Sequence, residues 1–172
     1  MADEHTREEL YGRIDSVIYR SDESGYAVVR LDVGEEDLIT VVGCIPYAAP
    51  GETMHAIGNW THHAAHGRQF KAESTSRRLP DTADGIYDYL CSGSIKGIGP
   101  ATASLIVRKF SANSLNIIEN YPERIAEIKG ISLQKAKEMS AAFRRDNTVR
   151  RLTELLCQHQ ISPVYALRLY KY

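Results

Sequence analysis

Ile95-Lys96-Gly97-Ile98-Gly99-Pro100-Ala101-Thr102-Ala103-Ser104-Leu105-Ile106 is the stretch whose reading decides the fold. Two glycines flank one isoleucine, so the backbone can turn through positive φ and approach a partner closely while the isoleucine anchors the turn in a core. Pro100 suits the first position of a helix, where an amide proton has no intrahelical acceptor. The spacing predicts a tight turn entering a helix. Free amides and the positive end of a helix dipole then face the same way, which makes an anion site with phosphate as its natural ligand.

Repetition strengthens the reading. Ile128-Lys129-Gly130-Ile131 copies Ile95-Lys96-Gly97-Ile98, and the same alignment brings Ala136 onto Ala103, Met139 onto Ile106 and Phe143 onto Phe110. Those positions form one helical stripe. A fainter third copy places Ser162 on Ser132 and Gly99, with Ala166 and Leu169 on the stripe, and breaks off at Tyr172. Three turn-plus-helix units about thirty residues apart bury a core by stacking on their neighbours.

Upstream the period changes from helical to alternating. Strands are expected over Tyr11–Arg20, Tyr26–Val33, Leu38–Ile45, Thr53–Thr61 and Arg68–Arg77, with Ala27, Val29, Leu31 and Val33 facing inward at period two. Five short strands with Gly- and Pro-rich connections suit a small closed barrel of OB kind, with an SH3-type barrel as the rival. Leu79-Pro80 ends this segment. A helix capped by Asp81 or Thr82 and carrying Ile86, Tyr87 and Leu90 follows, ending at Ser92-Gly93. A short helix over 116–120, a helix from Pro122 carrying Ile125 and Ile128, and another through Val149, Leu152, Leu155 and Leu156 complete the expected helices. The fold class is therefore α+β: a five-stranded OB-like barrel over residues 1–79, then an all-helical array over residues 80–172 with its third unit truncated.

The net charge of −1 conceals a split: residues 1–79 carry 8 Lys/Arg against 13 Asp/Glu, and residues 80–172 carry 13 against 9. A polyanion would prefer the second half. Cys44, Cys91 and Cys157 read as buried free thiols of a reducing compartment. With no apolar run of spanning length and no secretory leader, the chain reads as cytoplasmic, with no membrane partner. His62, His63 and His66, expected on a loop, lack a neighbouring cysteine or carboxylate to complete a metal site. Asp81, Asp84 and Asp88 suit the solvated N-terminal face of a helix better than a nuclease centre. Tyr19, Tyr26, Trp60 and Phe70 offer either a platform for stacking bases or packing for the barrel.

The run Tyr89-Leu90-Cys91-Ser92-Gly93-Ser94-Ile95-Lys96-Gly97-Ile98-Gly99-Pro100-Ala101-Thr102-Ala103, with Gly67-Arg68-Gln69-Phe70 before it and Ile161-Ser162-Pro163 after it, resembles the N-terminal region of RecD-like ATP-dependent DNA helicases of the RecD/TraA family, often called exodeoxyribonuclease V alpha subunit-like. The resemblance covers nearly the whole chain. It implies an OB-like barrel and tandem helix-hairpin-helix units forming a non-motor, DNA-binding accessory region of a 5′ to 3′ helicase of DNA repair or recombination. ATP and Mg²⁺ would belong to motor domains of the same polypeptide. No G-x-x-x-x-G-K-[ST] occurs in these residues, so no phosphate-cradling loop is present, nor any catalytic or metal constellation. The residues expected to meet single-stranded or forked DNA are Lys96, Gly97, Gly99 and Thr102 of the first unit, helped by Ser104, and Lys129, Gly130, Ser132 and Lys135 of the second. Two alternatives stay open: a stand-alone scaffold similar to the Holliday-junction-binding subunit of the bacterial branch-migration complex, and a protein-docking brace without DNA contact. For the latter speak Ser132 and Gln160 where glycines would allow closer approach.

Overall fold

Strand β1, Glu8–Arg20, is long enough to serve two neighbours, pairing with β4 over Glu8 to Arg13 and with β2 over Arg13 to Arg20. It therefore closes a barrel with β2 (Tyr26–Asp32), β3 (Ile39–Cys44), β4 (Thr53–His63) and β5 (Gly67–Arg78) in the order β1-β2-β3-β5-β4. In this computed structural model, residues 6–21, 23–159, 161, 165, 168 and 169 are described. The chain leaves β3 without pairing it to β4, and β3 instead lies parallel to β5 through Val41 and Phe70. That pairing makes the barrel OB-like and settles the choice against a consecutive antiparallel meander of SH3 type.

The period-two pattern works as expected. Ala27, Val29 and Leu31 are fully buried between exposed Tyr26, Arg30 and Asp32, and they meet Ile14, Val41, Ile45, Met54, Ala56 and Phe70 in one core. β4 and β5 are longer than their hydrophobic pattern suggested, running to His63 and from Gly67. His62 and His63 are thus strand residues. The connecting turn holds only Ala64, Ala65 and His66.

The helical part comprises α1 (Ala83–Cys91), α2 (Pro100–Phe110), α3 (Ser114–Asn120), α4 (Pro122–Ile125) and α5 (Leu133–Gln158). Thr82 is the cap of α1, its Oγ1 accepting from Gly85 N at 3.1 Å. α3 begins at Ser114, two residues before the expected start, after a 3-10 turn over Ser111–Asn113. α4 is a single turn. Ile128 lies beyond it, because the chain tightens through Glu127 N to Arg124 O and Ile128 N to Ile125 O bonds before turning again.

The largest departure is α5, one helix of 26 residues where two were expected. The two helices were expected on either side of Arg144-Arg145-Asp146-Asn147-Thr148, yet no Gly or Pro interrupts residues 133 to 158 and Arg144 finds a tertiary partner. Arg144 donates to Glu119 O at 3.0 and 2.7 Å, satisfying the carbonyl end of α3. Of the third unit, Ser162, Pro163 and Ala166 lie outside the described residues, and Leu169 is 65% exposed.

Helices and barrel share more than a linker. Ala49 from the β3–β4 connection belongs to the helical core. Gly51 has φ +90, and a Cβ there would stand 2.3 Å from Gly85 O, so only glycine lets this connection lie against α1. A buried charge cluster completes the junction. Glu52 accepts from Arg77 Nη1 at 3.0 Å and from Ala49 N at 2.7 Å, Arg150 of α5 reaches Glu52 Oε2 at 3.8 Å, and Glu154 accepts from Arg77 N at 2.8 Å.

Candidate nucleic-acid interface

The two copied tetrapeptides fold alike. Gly97 and Gly130 have φ of 94° and 93°. Ile98 N bonds Ile95 O at 3.2 Å, and Ile131 N bonds Ile128 O at 3.1 Å. The helices start with equal bonds of 2.9 Å, from Ala103 N to Gly99 O and from Ala136 N to Ser132 O. The isoleucines anchor the turns as expected, since Ile95, Ile98, Ile128 and Ile131 are all buried. The stripe is buried too, pairing Ala103 with Ala136, Ile106 with Met139 and Phe110 with Phe143 in one core.

Gly99 differs from the expectation attached to it. Its φ of −99° and ψ of −179° are extended, and a Cβ on it would meet nothing within 4 Å. It need not be glycine for conformational reasons. This explains how Ser132 occupies the same place in the second unit, where its Oγ accepts from Lys135 N at 3.1 Å. α2 has no side-chain cap. Its first amides are left for another acceptor, whereas the second unit spends one of its own on Ser132.

Lys96, Gly97, Gly99, Lys129, Gly130 and Ser132 are exposed, and Thr102, Ser104 and Lys135 are half-buried. The fold brings four of the named residues together: Lys96 and Gly97 of the first turn line one groove of about 680 Å³ with Ser132 and Lys135 of the second unit. Gly99, Thr102, Lys129 and Gly130 are not on its lining. Arg145 is, and the sequence reading missed it because that reading ended the helix too early. Continued through residue 145, α5 puts Lys135, Glu138, Ala142 and Arg145 at steps of three, four and three, a single helical face. Glu138 is the acidic group on this lining.

The barrel aromatics divide. Phe70 is wholly buried and meets the Trp60 ring edge-on at 5.3 Å. Trp60 in turn lies 3.8 Å under the Arg68 guanidinium and donates from Nε1 to Glu8 at 2.9 Å, so its faces are taken by packing. Tyr19 and Tyr26 remain on the surface, 54% and 43% exposed with centroids 6.2 Å apart. Of the three aspartates, Asp84 sits in the first turn of α1 and Asp88 pairs with Arg13. Cys44 and Cys91 are half-buried and in no disulfide, not fully buried as expected; the side chain of Cys157 lies outside the described residues. Among the described residues there is no group of three or more His, Cys, Asp and Glu able to hold a metal, and His63 and His66 stack on each other at 4.8 Å. No helix among the described residues is long and apolar enough to cross a membrane.

An OB barrel bearing a tandem of helix-hairpin-helix turns, with basic side chains gathered at those turns, has the make-up of a nucleic-acid-binding module. Comparison with known proteins makes this more particular. Residues 7–80 match the OB-fold domain of the ATP-dependent DNA helicase YrrC, and residues 90–145 match the SAM-like helix-hairpin-helix tandem. The ATP-dependent RecD2 DNA helicase of Deinococcus radiodurans is 25% identical over 148 residues, which is 82% of this chain and 20% of that protein. The chain thus spans about a fifth of the length of that relative. By these matches the chain is similar to the OB and helix-hairpin-helix region of RecD-like ATP-dependent DNA helicases. Among solved structures, the S. pombe Stn1–Ten1 complex aligns with 42% of this chain and 57% of its own at 16% identity and a TM-score of 0.35.

Proposed function

We propose that this chain is a non-motor DNA-binding accessory region of a 5′ to 3′ DNA helicase serving repair or recombination, and that it holds single-stranded or forked DNA by its phosphate backbone. One observation carries the reading: both hairpin units open onto a single groove with Lys96, Lys135 and Arg145 on its walls. Phosphate contacts of this kind position a strand without reading its bases. In this reading Lys96, Gly97, Gly99 and Thr102 form the stronger contact, because the amides at the start of α2 have no side-chain acceptor, while Lys129, Gly130, Ser132 and Lys135 form the weaker one. ATP and Mg²⁺ would act in motor domains of a longer polypeptide, which this region would also brace.

The test is fluorescence anisotropy with single-stranded, duplex and forked oligonucleotides across a salt series. Two to four phosphates neutralised give a log–log salt slope of roughly −1.5 to −3.5. The variant Lys96→Ala with Lys129→Ala leaves both turns intact, and weakened binding to the fork is expected. Parental affinity in that variant, or no binding by the parent, would replace the DNA reading with the docking brace. Nucleotide turnover by the chain itself would contradict its motorless character.

A further inference from the structure

The hairpin groove does not end at Arg145. Lys96, Ala142 and Arg145 also line a second cleft of about 510 Å³, between the barrel and α5. This cleft gathers five basic side chains, Arg20, Arg77, Lys96, Arg145 and Arg150, against two acidic ones, Glu52 and Asp146. A chain of net charge −1 therefore holds a local formal excess of three positive charges in a concave, partly desolvated place, where a field acts furthest.

Two details indicate that the excess faces a ligand. The first is the charge cluster at the cleft floor, where Glu52 is a single carboxylate beside two guanidinium groups, with side chains of Glu52, Arg77 and Arg150 only 2%, 4% and 13% exposed. At 3.8 Å the Arg150 Nη1–Glu52 contact is too long for a hydrogen bond, and that buried Nη1 has no acceptor among the protein atoms. Burial lowers the Arg150 pKa against the opposing pull of Glu52, Tyr89 and Glu154, while its Nη2 donates to Asn147 Oδ1. The second is Tyr47, a non-glycine residue with φ of 54° on the wall of the cleft, its ring beneath the Arg20 guanidinium at 6.0 Å. Left-handed residues of this kind persist where the surroundings impose them and gather at binding sites.

We infer that a single strand of DNA continues from the hairpin groove past Arg145 into the cleft between barrel and α5, its phosphates meeting Arg145 and Arg20 and a base lying against Tyr47. The volume suits one or two nucleotides of a single strand and not a duplex. This path crosses the β3–β4 connection at Tyr47. It rests on the DNA reading above, and the two are separable because Arg20 lines the cleft and not the hairpin groove.

The experiment compares Arg20→Gln and Arg20→Lys with the parent and with the Lys96→Ala, Lys129→Ala variant, on oligo-dT of about 6 and about 15 nucleotides, within the range of known single-strand sites. Arg20→Gln is expected to weaken the longer oligonucleotide roughly five- to tenfold at about 50 mM salt and to lower its salt slope by about 0.7, one phosphate contact. It leaves the shorter one unchanged, and Arg20→Lys restores the slope. Independently of any variant, adding the longer oligonucleotide shifts the amide resonances of Tyr47, Gly93 and Ser94, which line the cleft. If Arg20→Gln binds the longer strand like the parent, or those amides stay put, the cleft path is wrong while a weakened lysine variant keeps the hairpin reading. If the lysine variant binds like the parent, the hairpin reading falls and the cleft path falls with it, because Lys96 lines both.

Discussion

Changing Gly97 and Gly99 separately should move stability in opposite directions, although both glycines belong to one motif. Gly97 has φ of 94°, a conformation an L side chain adopts only under strain, even though a Cβ there would meet no atom within 4 Å. The strain costs about 1–3 kcal/mol, part of it offset by the smaller entropy of the unfolded alanine chain. Gly97→Ala should therefore destabilise by about 1–2 kcal/mol, which in a chain of this size lowers Tm by roughly 2–8 °C. Gly99 is extended and open. Gly99→Ser removes unfolded-state entropy and supplies the cap that Ser132 provides in the second unit, for a gain of about 0.5–1 kcal/mol and roughly 1–4 °C. In the DNA reading, the new hydroxyl claims an amide otherwise available to a phosphate, so oligonucleotide affinity falls by about 1 kcal/mol, roughly fivefold, while the fold becomes firmer. Thermal melting by circular dichroism, paired with anisotropy, measures both. A loss of stability in Gly99→Ser as large as that in Gly97→Ala would refute the argument, because it would mean that the second glycine is also conformationally required.

Glu52→Ala should cost about 3–5 kcal/mol, since it leaves Arg77 and Arg150 buried without their shared carboxylate, and barrel and helices should lose protection together in hydrogen exchange. Ser132→Ala, which deletes the bond to Lys135 N, should cost about 1 kcal/mol in denaturant unfolding without changing the slope m.

The sequence by itself determined the elements whose cause is local. Alternation at Ala27, Val29 and Leu31 defined a barrel strand, and the copied Ile-Lys-Gly-Ile turns, with the stripes behind them, defined two hairpin units, because period and turn chemistry are properties of a few consecutive residues. The closing of the barrel required the tertiary structure, since both OB and SH3 candidates satisfy the same five strands and only the β3–β5 pairing separates them. The continuity of α5 was decided likewise: two helices were expected there, and Arg144 near their junction donates to Glu119 O of α3. Arg145 entered the candidate site only through that continuity. So did the arginine cleft, whose members come from β1, β5 and α5 and from the turn at Lys96. Charge gathered from segments more than a hundred residues apart leaves no periodic trace along the chain. It follows from Glu52, a buried carboxylate that required cationic partners, and from a Gly51 small enough to let the barrel rest on α1.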